Sequence, residues 1–259
     1  MQCEIARPDM TLSSQDKFSE TKFWDLVARQ RVYAAFDTEE YNEVFDRSLG
    51  NSLSGKTIID IGCASGISAA LLASRGANVI GVDISPDLIA QAKQLWKEYE
   101  DKIDFRVGDA EQLDASDNSA DACFFGGVLH HFPDLERAIV EAYRVLRVGG
   151  QLVALEPNRL DGFELIEWAV ADLRGKLSPN EYPIDPHALK TQLAAAGFVN
   201  VRFWTTRNDI PVLAQIPLVK KCFSRQRGFS IKRPILRFVD AFRPPESRGT
   251  FFVMVATKR

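Results

Sequence analysis

The stretch Asp60-Ile-Gly-Cys-Ala-Ser-Gly66, set between the apolar run Thr57–Ile61 and a helical pattern over Ser65–Arg75, decides how the rest of the chain is read. A strand that turns through glycine into a helix lets the backbone come close to a ligand, and the helix start offers it free N–H groups. The spacing departs from the dinucleotide fingerprint Gly-x-Gly-x-x-Gly. Gly62 and Gly66 are present, Ala64 stands between them, and Ser68 follows one turn later. Alanine at position 64 still permits close approach but gives up the freedom to take positive φ. The loop implies a nucleotide-like ligand and, taken alone, leaves its identity open.

Outward from this loop the chain alternates. Val79–Val82 is a second apolar run, and Ser85-Pro86-Asp87 then starts a helix with a cap, a first-turn proline and an acid near the positive end of the dipole. Leu88, Ile89, Ala92, Leu95, Trp96 and Tyr99 form its apolar stripe. Ile103–Val107 and Ala122–Phe125 read as the third and fourth strands, and Gln151–Leu155 as the fifth. Between the last two, a helix from Asp134 carries Leu135, Ala138, Ile139, Ala142, Val145 and Leu146 at helical spacing, with Gly149-Gly150 as its stop. Helices over 161–175 and 185–196 and strands over Val199–Thr205 and Thr250–Ala256 complete the pattern. Buried strands alternating with amphipathic helices predict a doubly wound α/β fold with a mostly parallel sheet covered on both faces.

With 46% hydrophobic and 26% charged residues, the chain is an ordinary globular protein, and a net charge of −3 supplies no global attraction to nucleic acid. No apolar run reaches the length of a membrane span, and the first residues lack the basic-then-apolar pattern of a signal peptide. The four cysteines have no paired spacing, and the histidines include no helical His-x-x-x-His, so neither a disulfide framework nor a protein-bound metal is expected. A cytoplasmic protein follows from this reading.

Three further positions stand where strands end. Asp83 closes the second strand, at the distance from the loop where an acid serves ribose hydroxyls, or caps the next helix. Asp109 follows the third strand in Gly108-Asp-Ala-Glu-Gln-Leu-Asp114. The fourth is followed by Gly126-Gly-Val-Leu-His-His-Phe-Pro-Asp134, and Val145-Leu-Arg-Val-Gly-Gly150 comes next.

Together these segments resemble the class I S-adenosylmethionine-dependent methyltransferases, specifically the small-molecule enzymes related to the ubiquinone/menaquinone methylase group. The loop resembles their Asp/Glu-x-Gly-x-Gly-x-Gly motif with Ala64 for the middle glycine. Residues 126–134 look like their Leu-His-His-hydrophobic-x-Asp segment, and 145–150 like Val-Leu-Lys-Pro-Gly-Gly with Arg147 and Val148 substituted. The resemblance covers roughly 56–157. It implies a seven-stranded, Rossmann-like sheet with an antiparallel last strand, and S-adenosylmethionine as cofactor, leaving as S-adenosylhomocysteine. It assigns cofactor contacts to Asp60, Gly62, Ala64, Gly66, Asp83, Ile84, Asp109, Ala110 and Gly126. Asp109 would take the adenine amine and the Ala110 N–H a ring nitrogen, unless Asp109 is simply a solvated acid.

An in-line methyl transfer needs mainly positioning, and a base when the acceptor is a hydroxyl or an acidic carbon. His131, His130 and Glu156 are the candidates, each with a structural alternative: backbone bonding for the histidines, capping for the acid. Adjacent residues do not point the same way, so at most one histidine faces the acceptor. The expected reaction is methylation of a small-molecule or glycan/lipid-linked acceptor, most readily at oxygen. Transfer to carbon or nitrogen, or a cofactor-binding protein without catalysis, are the alternatives. The glycine spacing disfavours a nicotinamide oxidoreductase.

The expected organisation is a helical cap over 1–50, a cofactor-binding core over 51–207, an insertion over 208–249 and the last core strand over 250–259. The insertion holds nine basic residues against three acids. It reads as a lid over the acceptor pocket, as an amphipathic segment within 218–243 making peripheral contact with the inner membrane face, or as a segment whose charges are simply solvated while its apolar face packs on the domain.

Overall fold

The structure is a computed structural model, and it describes residues 14–33, 35–175, 177–206, 244, 247 and 249–259. Two helices, α1 (Ser14–Gln30) and α2 (Thr38–Ser48), precede the first strand. The body then runs β1 (Thr57–Ile61), α3 (Ile67–Ser74), β2 (Asn78–Asp83), α4 (Pro86–Leu95), β3 (Ile103–Val107), β4 (Ala120–Gly126), α5 (Leu135–Val145) and β5 (Leu146–Pro157). It closes with α6 (Gly162–Leu173), α7 (Pro186–Ala195), β6 (Phe198–Thr206) and β7 (Phe251–Lys258).

The seven strands form one sheet in the order β3-β2-β1-β4-β5-β7-β6. Strands β1 to β5 are parallel, and β7 inserts antiparallel between β5 and β6. This is the doubly wound α/β architecture that the alternation predicts. Successive residues of a strand face opposite sides, and both sides are apolar. Ile58, Val79, Phe124 and Val153 pack beneath α2, α3 and α4, while Ile59, Ile61, Phe125 and Leu152 pack beneath α5 and α7. Between β1 and β4 the order reverses direction, so a crevice opens at the carboxyl ends of these strands, where ligands of such sheets bind.

Helix starts follow the sequence signals. Ser85 caps α4 by accepting from Leu88 N, with Pro86 in the first turn, and Asp134 and Asp185 cap α5 and α7 in the same way. Two helix ends differ from expectation, the first being α4, which stops at Leu95 so that Trp96 and Tyr99 of its expected stripe fall beyond it. Helix α5 stops at Val145 rather than at the Gly149-Gly150 pair, because Leu146 turns extended (φ −67°, ψ 141°) to pair with Ala120 and bury its side chain in the sheet. The glycines therefore lie inside β5, not after the helix.

Helix α1 lies along α4. Asp25 accepts from the Ser85 hydroxyl at 2.5 Å, Gln91 donates to the carbonyls of Ala28 and Arg31, and Arg29 pairs with Asp87 at the surface. The segment after α1 is stitched to the glycine loop, since Tyr33 N donates to Ser65 Oγ at 2.8 Å. The cap thereby covers the carboxyl edge of the sheet. Among the described residues, no helix is long and apolar enough to cross a membrane. The basic insertion 208–249 falls almost entirely outside the described residues, and so do its lid and membrane readings.

Candidate active site

A cleft of about 880 Å3, its open mouth included, occupies the crevice. Its floor is the loop after β1. Gly62 (φ 70°) is pressed against Val128 so closely that an added Cβ would fall 2.2 Å from the valine Cγ2, and only glycine allows the β1 and β4 loops to meet there. Ala64 has φ 48° despite its side chain. This corrects the expectation that alanine gives up positive φ. The loop imposes the left-handed turn because Ala64 N must donate to Asp83 Oδ2 at 2.9 Å. Such a conformation costs an L-residue roughly 1–2 kcal/mol. Ala64→Gly is therefore expected to raise unfolding stability by about 1 kcal/mol, read from denaturant midpoints, and an unchanged or lowered midpoint would contradict the strain.

The cofactor set divides. Gly62, Ala64, Asp83, Ile84, Asp109, Ala110 and Gly126 line the cleft, whereas Asp60 and Gly66 lie beneath it. Gly66 begins α3 and packs on Phe105 and Trp96. Asp60 is buried and accepts from the Ser68 hydroxyl at 2.6 Å, which ties β1 to the first turn of α3. Burial pushes its carboxyl up to about 7, with nearby Asp83 adding to the effect. Asp60 thus shapes the loop from below.

Asp83 accepts from the Ala64 and Ser85 N–H groups, at 2.9 Å each. Burial raises its pKa while those donors pull the other way. A carboxylate has about four acceptor directions, so roughly two remain for a diol in the cleft. At the β3 end, Asp109 accepts from Glu111 N and from Lys17 Nζ at 2.7 Å, and Lys17 also meets Glu111. Burial works against the Lys17 ammonium, but the two carboxylates outweigh it and hold its pKa above the ordinary value. Position 109 is therefore partly occupied by a cation from α1, which sequence reasoning did not foresee.

The two histidines behave as expected of neighbours and face different partners. They sit in the 3-10 turn Leu129–His131. His130 turns inward: its Nδ1 lies 2.7 Å from Glu156 Oε2, and Glu156 Oε1 accepts from Val128 N and Leu129 N. Burial pushes the Glu156 carboxyl up to about 8 and the His130 imidazole down to about 3. Neither lines the cleft. Glu156 is wholly buried with both oxygens engaged, so its position does not offer the acceptor contact expected of it.

His131 does line the cleft, with Trp24, Tyr33 and Glu20 from the N-terminal segment and Phe132 beside it. The Trp24 ring meets it edge-on at 5.2 Å. Burial, followed by the neighbouring His130, lowers its pKa below 6.5, against the pull of Glu20, so the ring is neutral at neutral pH. Lys17, Glu20, Trp24 and Tyr33 belong to the helical cap expected over 1–50, and the chain path is what brings them over the crevice.

The apolar walls from Val128, Ile84 and Phe132, the Asp83 acceptor and the Asp109–Ala110 turn suit a ligand with a ribose and a flat heterocycle. The comparisons with known proteins agree with this class. A family described as methyltransferase domain matches residues 59–154. The chain is 31% identical over 150 residues to ubiquinone biosynthesis O-methyltransferase of Xanthomonas oryzae pv. oryzae (57% of this chain), and it spans 62% of that relative's length. It is 33% identical over 169 residues to demethylmenaquinone methyltransferase of Thermus thermophilus, covering 57% of this chain and 76% of the relative. In fold it resembles Haemonchus contortus phosphoethanolamine N-methyltransferase 2, solved with phosphomonomethylethanolamine and S-adenosylhomocysteine. That match has a TM-score of 0.66 at 20% identity, over 96% of this chain and 61% of that one. The chain belongs to the class I S-adenosylmethionine-dependent methyltransferases, in the branch related to the quinone methylases.

Proposed function

We propose that the protein transfers the methyl group of S-adenosylmethionine to a hydroxyl of a small aromatic acceptor. When bound, the cofactor supplies an activated methyl group on a sulfonium. The chain's part is to hold, to orient and to remove a proton. Gly62, Ala64, Asp83, Ile84, Asp109, Ala110 and Gly126 would cradle the nucleoside end, with Asp83 accepting from the ribose hydroxyls. Trp24, Tyr33 and Phe132 would flank the acceptor and exclude water from it.

The observation that carries the reading is His131. It is a neutral, buried imidazole on the cleft wall beside an aromatic cage, next to a loop suited to the nucleoside. A neutral imidazole removes a proton from a hydroxyl as the new bond to oxygen forms. The name of one relative, an O-methyltransferase of ubiquinone biosynthesis, supports a ring hydroxyl as acceptor.

The test has two arms. Mass spectrometry should find S-adenosylhomocysteine and a methyl ether when the protein is incubated with S-adenosylmethionine and a benzenediol or naphthalenediol carrying an alkyl tail. Calorimetry with S-adenosylhomocysteine should show Asp83→Ala binding about 30-fold more weakly, the size expected for lost hydrogen bonds to a charged group. Wild-type affinity in that variant would contradict the ribose role, and binding without turnover of either diol would favour a cofactor-binding protein or another acceptor.

A further inference from the structure

Three segments far apart in the chain meet on one nitrogen of His131. Its Nδ1 lies 2.8 Å from Ser178 Oγ, in the loop before α7, and 3.2 Å from Glu20 Oε1 on α1. Glu20 is itself fixed: Trp24 Nε1 donates to its Oε1 at 2.9 Å, and the backbone and side chain of Asn180 approach its Oε2 at 3.3 and 3.4 Å. Ser178 N donates to Glu181 Oε2 at 2.8 Å, which holds the serine in place. Glu20, Ser178 and His131 are all buried. Burial works against the Glu20 charge, yet hydrogen bonds from His131, Ser178 and Trp24 keep its carboxyl below the ordinary range, so it is a carboxylate.

A carboxylate only accepts hydrogen bonds, so the proton of the imidazole belongs on Nδ1. The Ser178 hydroxyl can accept from Nδ1 and pass its own hydrogen to Glu20. Nε2 is then left with its lone pair. No hydrogen bond to Nε2 is found among the described residues, and the ring that carries it lines the cleft. His130 has no such arrangement on the cleft side, because its Nδ1 is spent on Glu156.

We propose that Glu20 and Ser178 are positioning residues that lock His131 in the Nδ1–H tautomer and so make its Nε2 the proton acceptor. The proposal rests on the reading of His131 as the base. In the step it serves, the acceptor O–H bond breaks and its proton moves to Nε2. The oxygen electron pair forms the new O–CH3 bond, and the C–S bonding pair stays on sulfur. The imidazolium formed is stabilised by the Glu20 carboxylate across Nδ1, the role an orienting carboxylate plays for a catalytic imidazole. The groups that face His131 are Glu20 from α1, Glu181 from the loop before α7, Asp83 from β2, Glu156 from β5, and His130 beside it. Of the carboxyls, only Glu20 is bonded to its ring.

The chain has three histidines, so their ring nitrogens can be assigned by NMR on the full-length, ligand-free protein labelled with nitrogen-15 at histidine. Wild type should show His131 protonated on Nδ1 and unprotonated on Nε2. Glu20→Gln should lower the His131 pKa, since the imidazolium loses its charged partner, and Ser178→Ala should let the Nε2–H tautomer appear. Both variants should bind S-adenosylhomocysteine as wild type does, and kcat with the alkylated benzenediol should fall about tenfold with KM little changed. A wild-type His131 carrying its proton on Nε2, or a titration and tautomer untouched by Glu20→Gln and Ser178→Ala, would overturn the positioning role while the base reading stands. Undiminished turnover in His131→Ala would instead overturn the base reading, and this proposal with it.

Discussion

His131→Ala is expected to lower kcat by about three orders of magnitude, within the range that a general base contributes, while S-adenosylhomocysteine binds with nearly unchanged affinity. The separation follows from the geometry. His131 stands on the cleft wall with Glu20 and Trp24, whereas the groups suited to the nucleoside lie on the loops after β1, β2 and β3. Because burial keeps the imidazole neutral to below its ordinary 6.5, the acid limb of kcat should lie below that value in wild type and be absent from the residual activity of the variant. Added imidazole should restore part of the lost rate by occupying the vacated space. The check is S-adenosylhomocysteine formation with the alkylated benzenediol, across pH. A variant as fast as wild type would remove His131 from the chemistry.

The second large effect is on stability. Glu156→Ala should cost about 3 kcal/mol of unfolding free energy, because it leaves Val128 N and Leu129 N without their buried acceptor and His130 Nδ1 without its partner. Glu156→Gln keeps an oxygen for the two N–H groups, and His130 can accept from the new amide, so its cost should stay near or below about 1 kcal/mol. The pH dependence has a definite sign. The folded carboxyl titrates near 8 against 4.5 for its ordinary value, so its contribution is full below 4.5 and is lost as pH rises through 8. His130 titrates near 3 folded and 6.5 ordinarily, so above 6.5 it adds nothing to the slope. Between pH 6.5 and 8, wild type should therefore lose stability relative to Glu156→Gln. Urea midpoints of the three proteins across that window decide it; parallel curves would show that Glu156 is ionised throughout.

Much of the fold was legible because its signals are local. The Ser85-Pro86 start, the helix starts at Asp134 and Asp185 and the strand runs each depend on a few adjacent residues, and apart from the α5–β5 junction the structure forms those strands and helix starts within a residue or two of expectation. That most of the expected cofactor residues gather at one edge was legible for a related reason: in a parallel sheet, residues that end successive strands share one edge whatever the loops do. What could not be read is set by contacts distant in sequence. Lys17 reaches Asp109 across 92 positions, and Asn180 reaches Glu20 across 160. Nor does adjacency reveal that His130 turns toward β5 while His131 turns toward the cleft. The φ of Ala64 departs from the intrinsic preference of alanine because the hydrogen bond to Asp83, distant in sequence, overrides it.

Helix α1 lies outside the sheet and yet brings Lys17, Glu20 and Trp24 to the cleft. On the proposed reading, one helix then bears on both partners of the reaction, through Glu20 and Trp24 on the acceptor side and through Lys17 on Asp109. A graft of α1 from a relative with a different acceptor should therefore change what is methylated, and should leave donor binding intact only where the grafted helix keeps a cation to meet Asp109.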